Sequence, residues 1–435
     1  MIKPRFLRQQ RPWRLSAPAR LRFTASRLGS SVAHMIDEPI EEELLPGDRL
    51  KWFHPTHPGE VLDDRFKTIV KLGFGTGSTV WLAENLKFKP QRKSTVPRYV
   101  SIKIAALDTY APREMMSSKR ISNAKTSHEG LRLIRKPIDE FQLQGPEGTH
   151  FCLVYEPMRE TLSRFRHGLQ GQKLGLPLFR FYTYCLLDAL DCLHTECHLI
   201  HTDIEDDNIM ITIENNDVLV DFVNFYKSNP IFKHVRAEDS RVTYLSQPDF
   251  GPLRGSRLLP MLADFNLAFP GLDKSRGHLS AIQSHCFRAP EVLLGCPWSY
   301  SVDIWNFGLL MWNLLEDVTL FDRPADKDGE YDAHIHLAQM VSLLGDPPQE
   351  LIERERLFRE HRLQPPVINL RGKECKSMNE FWGGPFFDDD NRILRRDLLI
   401  GGKRLADRKR AAAAVSTFRI GTTNVACENK REAFG

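Results

Sequence analysis

Between residues 65 and 105 the chain alternates β-branched and aromatic residues with polar residues and glycines, a period-two pattern that predicts an antiparallel sheet. A proline-bearing approach, Phe53-His-Pro-Thr-His-Pro58, leads into it. From Leu176 onward the period changes to that of helices. Phe181, Cys185, Leu186, Ala189, Leu190 and Leu193 are assigned to one helical face. Residues 304–315 are apolar nearly all round, which places that helix at the centre of a core. A β-rich first part followed by a helical second part predicts an α+β protein of two lobes with a cleft between them. No internal repeat is evident.

Composition changes this picture little. At 435 residues, 41% hydrophobic and 27% charged, the chain has the make-up of a soluble globular protein. No apolar run reaches the roughly 18 residues that would cross a bilayer, so no membrane association is expected. The eight cysteines form no CxxC pair and follow no signal peptide, which favours reduced thiols over a disulfide framework. Charge is more informative. Residues 1–36 hold Lys3 and seven arginines with no acidic residue, leaving 52 basic against 56 acidic residues in the remainder. A mildly acidic body suits a cationic partner better than nucleic acid. The leader itself, Arg-rich with interspersed Phe6, Trp13 and Phe23, has two readings: a mitochondrial transit peptide or a disordered basic tail.

Six motifs carry chemistry. Leu72, Gly73, Gly75, Gly77, Ser78 and Val80 lie in a glycine-rich strand-turn-strand segment, where missing Cβ atoms let backbone approach phosphate oxygens. Lys103 follows in Tyr99-Val-Ser-Ile-Lys-Ile104, its stem between alternating apolar residues, so its head requires a charged partner. In Leu199-Ile-His-Thr-Asp-Ile-Glu-Asp-Asp-Asn-Ile-Met210, Asp203 and Asn208 stand five apart, as required of a carboxylate that accepts a hydroxyl proton and an amide that ligates Mg²⁺. Ala263-Asp-Phe-Asn266, Arg288-Ala-Pro-Glu291 and Asp303-Ile-Trp305 complete the order. His54, His57, His334 and His336 lack a carboxylate or cysteine at ligand spacing and are read as surface or partner-contact residues rather than a metal site.

These motifs, with the segments Ile282-Gln-Ser-His-Cys-Phe-Arg-Ala-Pro-Glu291 and Pro297-Trp-Ser-Tyr-Ser-Val-Asp-Ile-Trp305, resemble the SR-protein kinases of the CMGC group, in their divergent fungal form. The likeness spans roughly residues 46–406 and implies a bilobal protein-kinase fold, β-rich N-lobe and helical C-lobe. On it the chain divides into a basic leader (1–36), an approach (37–64), the N-lobe with hinge (65–158), the C-lobe (159–407) with an insertion at 215–256, and an irregular tail (408–435). It implies ATP and Mg²⁺ as cofactors and a protein substrate phosphorylated on Ser or Thr, Arg/Ser-rich in the related enzymes. Carried over by position, Asp203 is the catalytic base, Lys103 the phosphate-pairing lysine with Glu114 as its partner (Glu129 the runner-up), and Asn208 and Asp264 the metal ligands. Glu156–Met158 would be the adenine hinge. A monomer in the cytoplasm or nucleus is implied, with the mitochondrion as the alternative that the leader raises.

The chain also departs from the family. Glu205 stands where most active kinases have a lysine that neutralises the transferring phosphoryl group, so the sign of a stabilising charge is reversed. Asn266 replaces the glycine of the Asp-Phe-Gly motif, a milder change if left-handed backbone is needed there. Residues 215–256 are expected to form an exposed excursion, and the last C-lobe helices, with the arginine that would meet Glu291, are not recognisable. These departures favour a pseudokinase scaffold as the alternative to an active kinase. A small-molecule kinase is a third reading, against which the Arg288–Glu291 motif argues.

Overall fold

The structure, a computed structural model, describes residues 34–90, 96–109, 111–272, 277–321 and 324–401. The leader as far as Ala33, the tail 408–435, Ser275 and Asp322 lie outside the described residues. The described chain falls into two compact units, 34–201 with 206–270, and 202–205 with 271–401.

The first unit is built on a six-stranded antiparallel sheet. Its strands are β1 (Val61–Leu62), β2 (Phe66–Gly75), β3 (Ser78–Asn85) and β4 (Tyr99–Ala105), then β5 (Asp139–Gln144) and β6 (Thr149–Tyr155) beyond helix α1 (Ala111–Ser122). The spatial order is β1-β2-β3-β4-β6-β5. The period-two pattern buries one face: Val100, Ile102 and Ile104 of β4 pack with Trp81, Ala83, Cys152 and Val154. A chain extension follows through β7 (Met158–Thr161) and α2 (Leu162–Gly168) into α3 (Leu176–Thr195). Tyr182, Leu186, Ala189, Leu190 and Leu193 of α3 are buried, but Phe181 is 47% exposed. The buried stripe therefore runs through Phe179 and Tyr182 and leaves out Phe181. Gly130 packs so closely on α3 that a Cβ there would lie 1.9 Å from the Asp188 carbonyl oxygen.

Beyond α3, β8 (Leu199–Ile200) and β9 (Ile209–Thr212) bracket the catalytic-loop motif. The 215–256 segment is not an exposed excursion. It forms α4 (Asn216–Ser228), β10 (Lys233–Val235) and β11 (Val242–Tyr244), the last two paired as a hairpin. Val218, Leu219, Phe222 and Val223 of α4 are buried with Phe250 against Ile69, Val70, Leu82 and Tyr99 of the sheet. Four apolar residues at helical spacing needed a partner surface, and the second face of the sheet supplies it. The chain returns through β12 (Pro260–Leu262) and β13 (Phe269–Pro270), so that β12-β9-β7 form one small sheet and β13 pairs with β8.

The second unit is helical, with α5 (Pro290–Leu293), α6 (Ser301–Glu316), α7 (Ala333–Leu344) and α8 (Gln349–Phe358). Phe307, Leu310 and Leu314 of α6 are buried, while Trp305 and Trp312 are half-buried, so the helix is less enclosed than its composition predicts. Asp303, with no exposed surface, accepts a hydrogen bond from the Thr202 backbone N–H at 2.7 Å. Glu291 accepts one from the Ser301 hydroxyl at 2.7 Å. Two of the four histidines read as surface residues are buried, His54 in the first unit and His336 in the second.

Candidate active site

The glycine-rich segment is the β2–β3 hairpin, with Gly75 opposite Ser78 and Gly73 opposite Val80. A Cβ at Gly73 or Gly75 would meet nothing within 4 Å, so the backbone there borders open space. At Gly77 it would lie 2.8 Å from Thr109 Cγ2. Ser78 is buried, and Leu72 and Val80 are half-buried. Val80 lies opposite Lys103 of β4 in the strand register.

Lys103 is the centre of the site. Its Nζ donates to Glu114 Oε1 of α1 at 2.8 Å and to Asp264 Oδ1 at 2.9 Å. Glu129 is not at this site, and pairs instead with Arg132 at 2.8 Å. Burial would lower the Lys103 pKa, but Asp264 and then Glu114 outweigh it and hold the ammonium raised. Burial pushes the Glu114 carboxyl up against the pull of Lys103. For Asp264 burial acts upward too, yet Lys103 prevails and the carboxyl stays below its usual range. One cation thus serves two carboxylates.

Behind this triad lie groups that the sequence reading did not single out. The Tyr155 hydroxyl donates to Glu114 Oε1 at 3.4 Å, and the Arg135 guanidinium stacks on the Tyr155 ring at 4.3 Å. Arg135 also donates to Ser101 Oγ at 3.0 Å, and Ser101 in turn donates to the Glu156 carbonyl at 3.3 Å. The serine at a position usually taken by alanine therefore links the lysine strand to the connector Glu156–Pro157. Met158, the last of the proposed hinge residues, already belongs to β7, and its side chain is buried. Arg135 was invisible because nothing in its sequence neighbourhood marks it; only the packing brings it to Tyr155.

Asn208 and Asp264 are brought to the same end of the β9–β12 pair, where the Ala263 N–H donates to the Asn208 carbonyl at 2.9 Å. His201 is hydrogen-bonded with the Ala263 carbonyl at 2.9 Å and meets the Phe265 ring edge-on at 5.1 Å. Left-handed backbone falls on Asp264, with φ 62°, and not on Asn266. The tolerance of asparagine for left-handed backbone is therefore not called on at Asn266. Asp203 belongs to the second unit, in the short segment 202–205. Within that unit Glu205 accepts a hydrogen bond from the Ser284 hydroxyl.

A sheet lysine bridged to a helix glutamate and to the aspartate after a short strand pair, beside a glycine hairpin, defines a protein kinase. The fold agrees. A crystal structure of a kinase domain matches with a TM-score of 0.54 at 20% identity, over 85% of this chain and 88% of its own. No family model matches the chain. Relatives settle the class more narrowly. The chain is 36% identical to a serine/threonine protein kinase of Aspergillus fumigatus over 316 residues, 72% of this chain and 74% of that one. It is 29% identical to the serine/threonine-protein kinase SRPK of Physarum polycephalum over 325 residues, 69% and 72% of the two chains. Human SRSF protein kinase 3 is 32% identical over 178 residues, 40% of this chain and 30% of that one. The chain belongs to the serine/threonine protein kinases, and ATP-dependent phosphorylation of protein serine or threonine is its activity. Use of ATP with Mg²⁺ is general to these enzymes.

Proposed function

We propose that the nucleotide is held by the β2–β3 hairpin and the Lys103 triad, and that the preferred substrate is a basic, Arg/Ser-rich protein segment. The observation that carries the site assignment is the sharing of Lys103 between Glu114 and Asp264. Leu72, Val80 and Ser101 flank the adenine, Glu156–Met158 offers it backbone groups, and Gly73, Gly75, Gly77 and Ser78 leave the phosphates room. Glu114 aims Lys103 at the α- and β-phosphates. Asp264 and Asn208 would hold Mg²⁺, and their oxygen donors are the hard ligands this ion takes. When bound, the ion would neutralise charge on the nucleotide phosphates. Asp203 accepts the proton of the attacking hydroxyl, which carries its electron pair to the γ-phosphorus as the bond to the leaving diphosphate oxygen breaks. A cytoplasmic or nuclear protein acting as a monomer fits this reading, and the basic leader adds the mitochondrion as a second address.

Two measurements test it. Thermal stabilisation by Mg-ATP should be present in the wild type and lost in Lys103→Ala; stabilisation that survives unchanged refutes the site. Transfer from labelled ATP to an Arg-Ser peptide should be abolished by Asp203→Asn, and persistence of wild-type transfer refutes the base assignment.

A further inference from the structure

The glycine-rich hairpin is gripped at both ends by a segment that precedes the sheet. At the base, Lys71 of β2 has no exposed surface and bonds to Glu41 at 2.6 Å, to Glu42, and to the Tyr244 carbonyl at 3.1 Å. At the turn, Arg49 Nη2 donates to the Thr76 carbonyl at 2.7 Å. The same guanidinium pairs with Asp108 in the loop after β4, at 3.0 Å. The Leu107 N–H donates to the Trp52 carbonyl at 2.9 Å, so segment and loop are also joined through backbone. The segment is in turn fastened to the 215–256 insertion. Glu41 accepts from the Ser246 N–H and hydroxyl at 2.7 and 2.8 Å, and His234 meets Glu43 at 2.8 Å.

The turn between Gly75 and Ser78 is Thr76-Gly77; Gly77 contributes no side chain to pack, and its carbonyl accepts from the Ala106 N–H at 2.9 Å. An outside cation adds a second constraint, at the Thr76 carbonyl. Arg49 offers a planar fork that reaches the turn carbonyl and the Asp108 carboxylate together, a geometry an ammonium does not reproduce. Only 14% of its side chain is exposed, so solvent screens these bonds incompletely. Such a contact lowers the conformational freedom the hairpin must give up on binding a nucleotide.

We infer that segment 40–53 is a strap locked by the insertion, and that Arg49 is a positioning residue which sets the glycine-rich turn for nucleotide phosphates. The inference rests on the nucleotide reading of the hairpin given above.

The test uses the full chain with equilibrium binding of Mg-ATP and steady-state kinetics. Arg49→Met should raise both the Kd and the KM for ATP about fivefold, the size of one charge-assisted contact, with the peptide KM unchanged. Arg49→Lys should recover only part of that loss, and Asp108→Asn should reproduce it from the other side of the contact. Hydrogen exchange at 75–78 should accelerate in Arg49→Met while the amides of β4 and β6 keep their protection. Unchanged nucleotide affinity in both Arg49→Met and Asp108→Asn overturns the strap while leaving the nucleotide site standing. Equal losses for ATP and peptide, with exchange raised throughout the sheet, also overturn it, since they mark general destabilisation. A wild type that fails to bind Mg-ATP overturns the nucleotide reading itself and the strap with it.

Discussion

Glu205 carries a negative charge where related kinases place a lysine, and the structure shows what the side chain does instead: it takes the Ser284 hydroxyl as a donor. A carboxylate so held loses freedom to move. If that charge opposes phosphoryl transfer, Glu205→Gln, which retains an acceptor for Ser284, should raise kcat by about tenfold, equivalent to about 1.4 kcal/mol. Equal kcat in the variant would mean that the chain has already adapted to the charge. Tyr155 yields a second residue-scale expectation. Removing its hydroxyl in Tyr155→Phe takes one donor from Glu114 and leaves the Arg135 stack in place, so the KM for ATP should change less than about threefold. A change of tenfold or more would show that Tyr155 positions Glu114 more strongly than a 3.4 Å contact implies. Lys103 and Asp264, which the structure joins, were legible because each sits in a motif whose spacing is itself chemical. Arg135 and Arg49 were not, since each acts across a fold from an unmarked stretch.

At the scale of elements, the insertion is the clearest departure from the sequence reading. Its apolar residues were visible, but one amphipathic helix does not say which surface it covers. Phe222 stacks on Phe250 with ring centroids 4.1 Å apart and closes the second face of the sheet. Phe222→Ala should therefore cost about 3 kcal/mol of unfolding free energy in denaturant titration. A loss below about 1 kcal/mol would mean that α4 is not part of this core. The approach to β1 yields a pH dependence. His54 and His150 meet edge-on at 5.3 Å. Burial lowers the pKa of both, and His54, also repelled by His150, falls to about 4 from 6.5. The unfolded chain then binds more protons than the folded one between these values, so stability falls as pH drops from 6.5 toward 4. Differential unfolding at pH 7 and pH 5 should show that loss, and His54→Asn should reduce it; an identical slope in the variant removes His54 as its source.

For the whole molecule, charge bears on the choice of substrate. The acidic run from Glu316 to Asp332 is only partly available to a basic partner. Asp332 caps α7 through the N–H groups of His334 and Ile335, and Asp326 bonds Arg371 and the N–H groups of Asp328 and Glu330. Asp328 and Glu330 are exposed, and they are the residues to test. Attraction of an Arg-Ser peptide to them should weaken as the Debye length contracts from about 30 Å at 0.01 M salt to about 8 Å at 0.15 M. Asp328→Asn with Glu330→Gln should raise the KM of the basic peptide about threefold at low salt and that of a neutral serine peptide not at all. Equal responses of the two peptides would reduce the acidic run to a solvated loop with one structural cap.

The sequence alone determined the class of this protein. Its nucleotide and phosphoryl-transfer motifs are short, local and ordered, and each is constrained by the chemistry of one phosphate, one metal ligand or one proton. The alternating period marked the sheet of residues 65–105 and the helical period marked α3 and α6, because each reports on burial within a single element. What covers each element was decided only by the tertiary structure. The sharing of Lys103 with Asp264, the seat of α4 on the sheet and the grip of Arg49 on the turn are contacts between residues far apart in the chain. Their geometry depends on the whole packed assembly, which no local pattern records.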